Sequence, residues 1–480
     1  MAKKELFTQG WEFQLVPVGE AVVEEQGFVP VDIPHDWQIY DSTNLYQDGD
    51  GWYQKKFHIK KEEELLYYLY FEGVYMDSRV FVNGEFWGEW KYGYSSFYFD
   101  ITNGLVDGEN IIHVRTRLQH PNSRWYSGAG IYRNVWLKIM PKVHILQDGI
   151  YISCKKSDKD QKEENSIWKV DIETEINFSG GNPEEYMLEI ELINREGKIE
   201  AKKEVSCGKY KKISKKKLSL LPVNEAGAVS CHANLTLENP KLWNSWDIGQ
   251  PEYYDCHISL FYQNNKIEEE TTTFGCRTCE FLPEEGFFLN GRHIKLKGVC
   301  EHHDLGALGA TFHPAAAKRK LEILKSMGVN AIRTSHNMPA PELLDLADQM
   351  GFLVVDEAFD MWERSKTKYD YARFFPVWAK YDVASWIRRD KNHPCVIMWS
   401  VGNEIYDTHA DKEGIRIIKE LINQVLLHDK KQNAKPTIAS NYMAGENAQA
   451  CADIIKIAGY NYAERLYQEH HKLHKDWVIY

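Results

Sequence analysis

The sequence predicts two β-sandwiches followed by an α/β barrel, and three changes of texture along its 480 residues predict it. Residues 1–140 read as short β-rich runs separated by turn dipeptides. Residues 141–278 alternate apolar and polar side chains with a period of two. From about residue 280, apolar runs alternate with helical patterns, the signature of a βαβ chain. A chain of this length calls for two to four domains.

In the first region the strand-like runs are 53–59, 66–71, 80–82 and 111–116. Their turn marks are Asn83-Gly84, Asn103-Gly104 and Asp107-Gly108. That spacing, without helical periodicity, indicates a jelly-roll sandwich. The second region, with clear alternation over 186–192 and 256–262, suits an immunoglobulin-like sandwich in size. The third, 279–480, gives barrel strands at 294–299, 331–334, 353–355, 396–399, 437–439, 454–457 and 477–480. Helices at 315–327, 341–350 and 415–427 fill gaps between them, and 287–293 reads as a lead-in hairpin. This makes seven strands of a (β/α)8 barrel, incomplete by at least one.

The composition excludes some partners. A net charge of −12 argues against nucleic acid and against an anionic membrane surface. The run Lys211, Lys212, Lys215, Lys216 and Lys217 is local and reads as a solvated strand edge or loop. No stretch approaches the roughly 20 apolar residues of a membrane span, and the N-terminus has no apolar signal region. Nine irregularly spaced cysteines fit reduced thiols and a cytoplasmic setting. Cys276 and Cys279 form a lone CxxC, read as two incidental thiols at a domain junction. The 15 Trp, 27 Tyr and 20 Phe supply core packing and also suit stacking on sugar faces.

The chemistry sits where barrel strands end. Side chains at the C-terminal ends of such strands converge on one face. Here those ends read Cys300-Glu301-His302-His303-Asp304, Arg333-Thr334-Ser335-His336-Asn337, Asp356-Glu357, Asp360, Trp362, Asn403-Glu404 and Gly459-Tyr460-Asn461-Tyr462. Burying so many charged groups without a purpose is costly. In Trp399-Ser400-Val401-Gly402-Asn403-Glu404 an acid and an amide stand side by side. The acid can protonate a leaving glycosidic oxygen while the amide hydrogen-bonds the neighbouring hydroxyl. His302 and His303, adjacent on an extended segment, point to opposite sides and do not share a metal. Arg333 is read as structural among Asp356, Glu357 and Glu404, with Asp356 and Glu357 as supporting groups. His336, Asp360 and Trp362 are read as substrate contacts. Tyr460 and Tyr462 divide between packing and contact, and His470, His471 and His474 read as solvated.

Taken together, these residues resemble glycoside hydrolase family 2, the family of β-galactosidases, β-glucuronidases and β-mannosidases. In the first domain the likeness rests on Ile33-Pro34-His35-Asp36-Trp37, on the segment 71–80 and on Ser127-Gly128-Ala129-Gly130-Ile131-Tyr132-Arg133. In the barrel it rests on Lys297-Gly298-Val299, Ile332-Arg333-Thr334-Ser335-His336-Asn337, Val355-Asp356-Glu357-Ala358, the segment 389–394 and the run ending at Glu404. The resemblance implies a retaining double displacement on a terminal β-D-galactoside. It implies Glu404 as acid/base, Asn403 as the amide for the 2-hydroxyl, and His302, His336 and Tyr460 in the site. It also implies that the loop around Arg124, Trp125 and Tyr126 reaches the barrel mouth, although some relatives carry an acid at the position of Arg124. No cofactor follows from it. Some galactosidases of the family hold magnesium through strand-three carboxylates, and Asp360 matches that position only loosely.

The chain departs from the family in one respect. The nucleophilic glutamate follows strand seven, and Trp477-Val478-Ile479-Tyr480 stops where that link begins, so the nucleophile is expected beyond Tyr480. On this reading the 480 residues are a fragment of a longer enzyme and inactive alone. A β-glucuronidase or β-galacturonidase of the same family, and a non-catalytic carbohydrate-binding fragment, stand as alternatives. A homo-oligomer is left open.

Overall fold

The Asn83-Gly84 pair shows how directly local chemistry sets the first unit. Both residues take positive φ, 50° and 85°, and close the hairpin between Ser78–Val82 and Glu85–Trp90. This hairpin lies at one edge of a six-stranded antiparallel sheet in the computed structural model, which describes residues 2–20, 27–157 and 166–480. The order of that sheet is Val29–Val31, Trp11–Val16, Gly49–Ile59, Gly108–Leu118, Ser78–Val82, Glu85–Trp90. A four-stranded sheet faces it, with Lys3–Leu6, Val135–Pro141, Leu65–Phe71 and Phe97–Asp100 in that order. Trp11, Tyr53, Leu69, Phe71, Val80 and Val114 fill the space between. In Leu65–Phe71 the five residues from Tyr67 onward are all buried, because Tyr68 and Tyr70 on its outer face pack beside Tyr98 and Met140.

The second unit pairs two four-stranded antiparallel sheets. One holds Val143–Lys156, Ile167–Phe178, Ala228–Glu238 and Tyr210–Lys212. The other holds Ile199–Ser206, Tyr186–Asn194, Tyr254–Tyr262 and Asn265–Phe274. Val170, Ile172, Leu188, Ile190, Ile258 and Leu260 alternate inward to make its core. The lysine run forms the edge strand Tyr210–Lys212 and the short helix Lys215–Leu218. Lys217 departs from the solvated reading by turning inward to pair with Glu175 at 2.6 Å.

A three-stranded hairpin unit, Cys279–Leu282, Gly286–Leu289 and Arg292–His293, leads into the third unit. Seven parallel strands follow in strict order: Gly298–Glu301, Ala331–Thr334, Leu353–Glu357, Val396–Asn403, Lys435–Ser440, Ile457–Tyr460 and Val478–Ile479. Helices Pro314–Ser326, Pro341–Met350, Phe375–Asp390, Glu413–His428 and Glu446–Ile455 cover their outer faces. The strand ladder is open, since the first and seventh strands do not pair with each other. A cleft of ≈ 730 Å³ runs between them, reaching Val299, Arg333, Met398, Asn461 and Tyr480.

Two barrel strands lie later than their sequence patterns suggest. The apolar stretch from Ile294 belongs to the hairpin's exit, where the Ile294 N–H donates to Phe287 at 2.9 Å, so the first strand starts at Gly298. Ile454 closes a helix instead of opening the sixth strand. Lys456, left-handed at φ 68°, ends that helix without a glycine or proline to announce it.

Candidate active site

All eight residues of the fourth strand are buried, and its last, Asn403, hands the chain to Glu404. Glu404 takes φ 49°, a left-handed conformation that a non-glycine residue adopts at a cost. Its N–H donates to the Ala439 carbonyl at 2.8 Å, so the turn is tied to the fifth strand. The carboxylate, 7% exposed, accepts from Asn461 Nδ2 at 3.0 Å and from Arg124 Nη1 at 3.4 Å.

Asn403 is held on every side. Its Oδ1 accepts from Arg333 Nη2 at 2.7 Å and from Asn461 Nδ2 at 2.8 Å, and its Nδ2 donates to Asp360 Oδ1 at 2.7 Å. Asp360 in turn accepts from Lys366 Nζ at 2.8 Å and from both Nε and Nη2 of Arg124, at 3.2 and 2.8 Å. Lys366, its side chain 1% exposed, also donates to the Asn403 carbonyl at 2.9 Å. Burial pushes its ammonium pKa down, against the pull of Asp360. Two cations and an amide thus surround Asp360. That donor set does not fit a divalent cation, which takes a shell of oxygen ligands.

Beneath this layer lies Glu357. It accepts from Arg333 at 2.9 and 3.0 Å, from Ser400 Oγ at 2.6 Å and from His336 Nδ1 at 2.6 Å. Burial works to raise this carboxyl, but Arg333 and His336 override it and hold its pKa at about 2. His336, anchored in this way, turns its ring toward Trp125 and His302, with centroids 5.6 and 5.7 Å away. Trp125 stacks on His302 at 5.2 Å. Burial, then His336, lowers the His302 pKa, which favours the neutral imidazole. His303 diverges from it, packing near Tyr94 and Tyr132 with Nε2 at 2.9 Å from the Ser127 carbonyl.

Trp125 and Arg124 belong to the first sandwich, and Asp36 explains how they reach the barrel. Its carboxylate accepts from the N–H groups of Ala129 and Ala310 at 3.0 and 2.9 Å and from the Tyr126 hydroxyl at 2.7 Å. One buried acid therefore pins the loop around Arg124 to the loop after the first barrel strand. Arg133 adds a 2.8 Å bond to the Met338 carbonyl.

Some strand-end residues lie away from this face. Tyr460 packs outward, its hydroxyl 2.8 Å from His470 Nδ1, and Asn461 is the residue that reaches Glu404. Tyr462 is 84% exposed. Trp362 is fully buried, its indole N–H donating to the Val401 carbonyl at 2.9 Å, so it braces the fourth strand from behind. Asp360 is committed to its cations and amide. His470 is buried and His474 stacks on Trp477 at 3.8 Å, in place of the solvated positions read for them. Sequence reasoning missed Asn461 and Lys366 as site residues. The polar residue just past the sixth strand signals the first, and no pattern in the loop before residue 375 signals the second.

Residues 26–141 match the glycosyl hydrolases family 2 sugar binding domain, 151–277 the family 2 domain that follows it, and 282–442 the family 2 TIM barrel domain. The chain belongs to glycoside hydrolase family 2. A β-galactosidase of Bacteroides ovatus is 39% identical over 440 residues, covering 88% of this chain and 48% of that protein. A β-glucuronidase of Bacteroides fragilis is 28% identical over 436 residues, covering 86% of this chain and 58% of that protein. The crystal structure of a family 2 member from Bacteroides cellulosilyticus superposes with a TM-score of 0.88 at 31% identity, over 100% of this chain and 61% of that one. This family 2 chain therefore spans about half the length of these relatives. Among its described residues no helix is long and apolar enough to cross a membrane.

Proposed function

We propose that this chain carries the acid/base half of a retaining exo-glycosidase site acting on terminal β-D-galactosides. The observation that carries the reading is the Asn403-Glu404 pair at the tip of the fourth strand. Glu404 is nearly buried and oriented by Asn461, and Asn403 is fixed from three sides by Arg333, Asn461 and Asp360. In the first step Glu404 gives its proton to the leaving oxygen as the anomeric carbon is attacked from the opposite face. In the second it takes a proton from the incoming water. Trp125, His302 and His336 offer an aromatic wall and ring nitrogens beside it.

A double displacement needs a second carboxylate roughly 5–5.5 Å from the first. Glu357 and Asp360 are engaged by cations, so neither serves. On this reading the nucleophile comes from the portion of the longer relatives that these 480 residues do not match. The galactoside choice is supported by the Bacteroides ovatus relative and by Arg333, which is spent on Glu357 and Asn403 and not free to clamp a substrate carboxylate. A β-glucuronide is the second reading. The Bacteroides fragilis relative favours it, as does Arg124, whose side chain is 41% exposed beside Glu404.

The test is hydrolysis of paired p-nitrophenyl β-galactoside and β-glucuronide, by the 480-residue chain and by a form extended with the barrel-closing segment of the Bacteroides ovatus relative. The expected result is galactoside cleavage by the extended form only, lost on Glu404→Gln. Preference for the glucuronide moves the substrate to uronides. Cleavage by the 480 residues alone overturns the assignment of the nucleophile.

A further inference from the structure

On the opposite face of the barrel from Glu404, where the fourth and fifth strands begin, a second cleft of ≈ 370 Å³ opens against the immunoglobulin-like sandwich. Its lining includes Lys155, Lys156, Arg277, Lys391, Lys431 and Lys435, and among the described residues no carboxylate. In a chain whose net charge is −12, such a concentration of cations runs against the background.

Among the described residues, Lys431 alone of the six pairs with an acid, Asp171. Arg277 is held by the carbonyls of Val396 and Asn433, at 2.6 and 3.2 Å, and by the Cys279 thiol. Lys435 donates to Gln432 Oε1 at 2.7 Å and buried Lys391 to the Asp148 carbonyl at 2.9 Å. Lys155 and Lys156 are exposed and have no carboxylate partner among the described residues. Behind the wall, Arg388 and Lys217 share the single acid Glu175, each at 2.6 Å. Burial, then Arg388 and Lys217, drives the Lys391 pKa down, so of the six this lysine contributes least to the positive charge.

The walls are also rigid. Asn433 Nδ2 donates to the Ile152 and Lys391 carbonyls at 2.8 and 2.9 Å. Asn392 takes the Ile152 N–H at 2.9 Å and gives to the Ile150 carbonyl at 3.0 Å. Sandwich and barrel are stitched together on both sides, so the backbone that carries these cations needs little reordering when a ligand binds.

We propose that this cleft is an oxyanion-binding site, separate from the glycosidase site, whose ligand carries a phosphate or sulfate group, either free or attached to a saccharide. Guanidinium and ammonium groups gathered around one cleft match the charge and acceptor oxygens of such a dianion. The volume exceeds that of the bare ion and leaves room for a sugar ring attached to it.

Calorimetry and thermal unfolding of this chain, at fixed ionic strength against chloride, test this with inorganic phosphate, inorganic sulfate and a sulfated oligosaccharide. Binding should weaken at least tenfold when Lys155, Lys156 and Lys435 are all changed to Gln. The triple change Lys209, Lys211 and Lys212 to Gln, equal in charge but on another edge, should leave it unaltered. Binding of the free ions identifies a small-anion site, and binding of the oligosaccharide alone identifies a sulfated glycan. No binding beyond chloride, or equal loss in both triple variants, overturns the proposal. In the extended form, glycosidase activity should persist in both variants, which keeps this test independent of the reading of Glu404.

Discussion

Glu404 sits at a junction of opposing demands. On the proposed reading it gives its proton to the leaving group, while Arg124 lies 3.4 Å from its carboxylate. Arg124 is also bound to Asp360, so the two acids compete for one guanidinium. Changing Arg124 to Ala should leave the fold intact, because this half-exposed ion pair is worth about 1 kcal/mol or less. Under the proposed function, kcat/KM of the extended form should fall instead, because Arg124 no longer positions Glu404 and Asp360. An unchanged kcat/KM would remove Arg124 from the chemistry. Glu404→Gln should lower kcat roughly 10²–10⁴-fold on substrates with poor leaving groups, and less on activated aryl glycosides, measured side by side. Arg333→Met is a stability experiment: it strands Glu357 in a buried site, and urea unfolding should report a loss of about 3–5 kcal/mol.

At the scale of elements, the His393–Asp348 pair ties the end of helix Pro341–Met350 to the entry of the fourth strand. The distance is 2.6 Å, and Asp348 also accepts the Cys395 N–H at 2.8 Å. Burial opposes the His393 charge, but Asp348 overrides it and raises the pKa to about 9 from 6.5. A raised histidine contributes its stability fully below its unfolded pKa and loses it as pH rises through the folded value. Of the stability, about 3 kcal/mol should therefore disappear between pH 6.5 and 9. Unfolding midpoints across that window, compared with His393→Gln, should show the slope reduced in the variant. An identical slope would mean that the pair does not titrate there.

The elements also show what a sequence can and cannot announce. Runs such as Ala331–Thr334 and Pro341–Met350 declare themselves through β-branched density or helical spacing. Helix Phe375–Asp390 does not, because it buries Asp382, Arg388 and Asp390 among its apolar residues and so blurs the stripe. Asp382 is there to receive Trp90 Nε1 at 3.0 Å and Ser95 Oγ at 2.7 Å from the first sandwich. Only the assembled interface explains such a residue. The same holds within the site. Glu404 and Asn403 could be found from their strand, whereas Lys366 is recruited from a loop by Asp360, and Asn461 is outshone in the sequence by the tyrosines on either side.

For the 480 residues taken alone, the open ladder is the main physical liability. Two unpaired parallel edges flank an apolar cleft, an arrangement prone to edge-to-edge association. The 480-residue chain should bind a hydrophobic dye and self-associate in a concentration-dependent way. Adding the closing segment should suppress both, as read by fluorescence and sedimentation. Equal dye binding by the two forms would show that the cleft is not the exposed surface.

Asp36 has a reach beyond its own hydrogen bonds. By fastening a loop of the first sandwich onto the barrel mouth, it makes the rim of the pocket the property of one folding unit and the reacting groups the property of another. Such a division lets the two diverge at different rates. On the proposed function, sandwich loops can be exchanged to change which sugars enter, while the strand that bears Glu404 stays as it is.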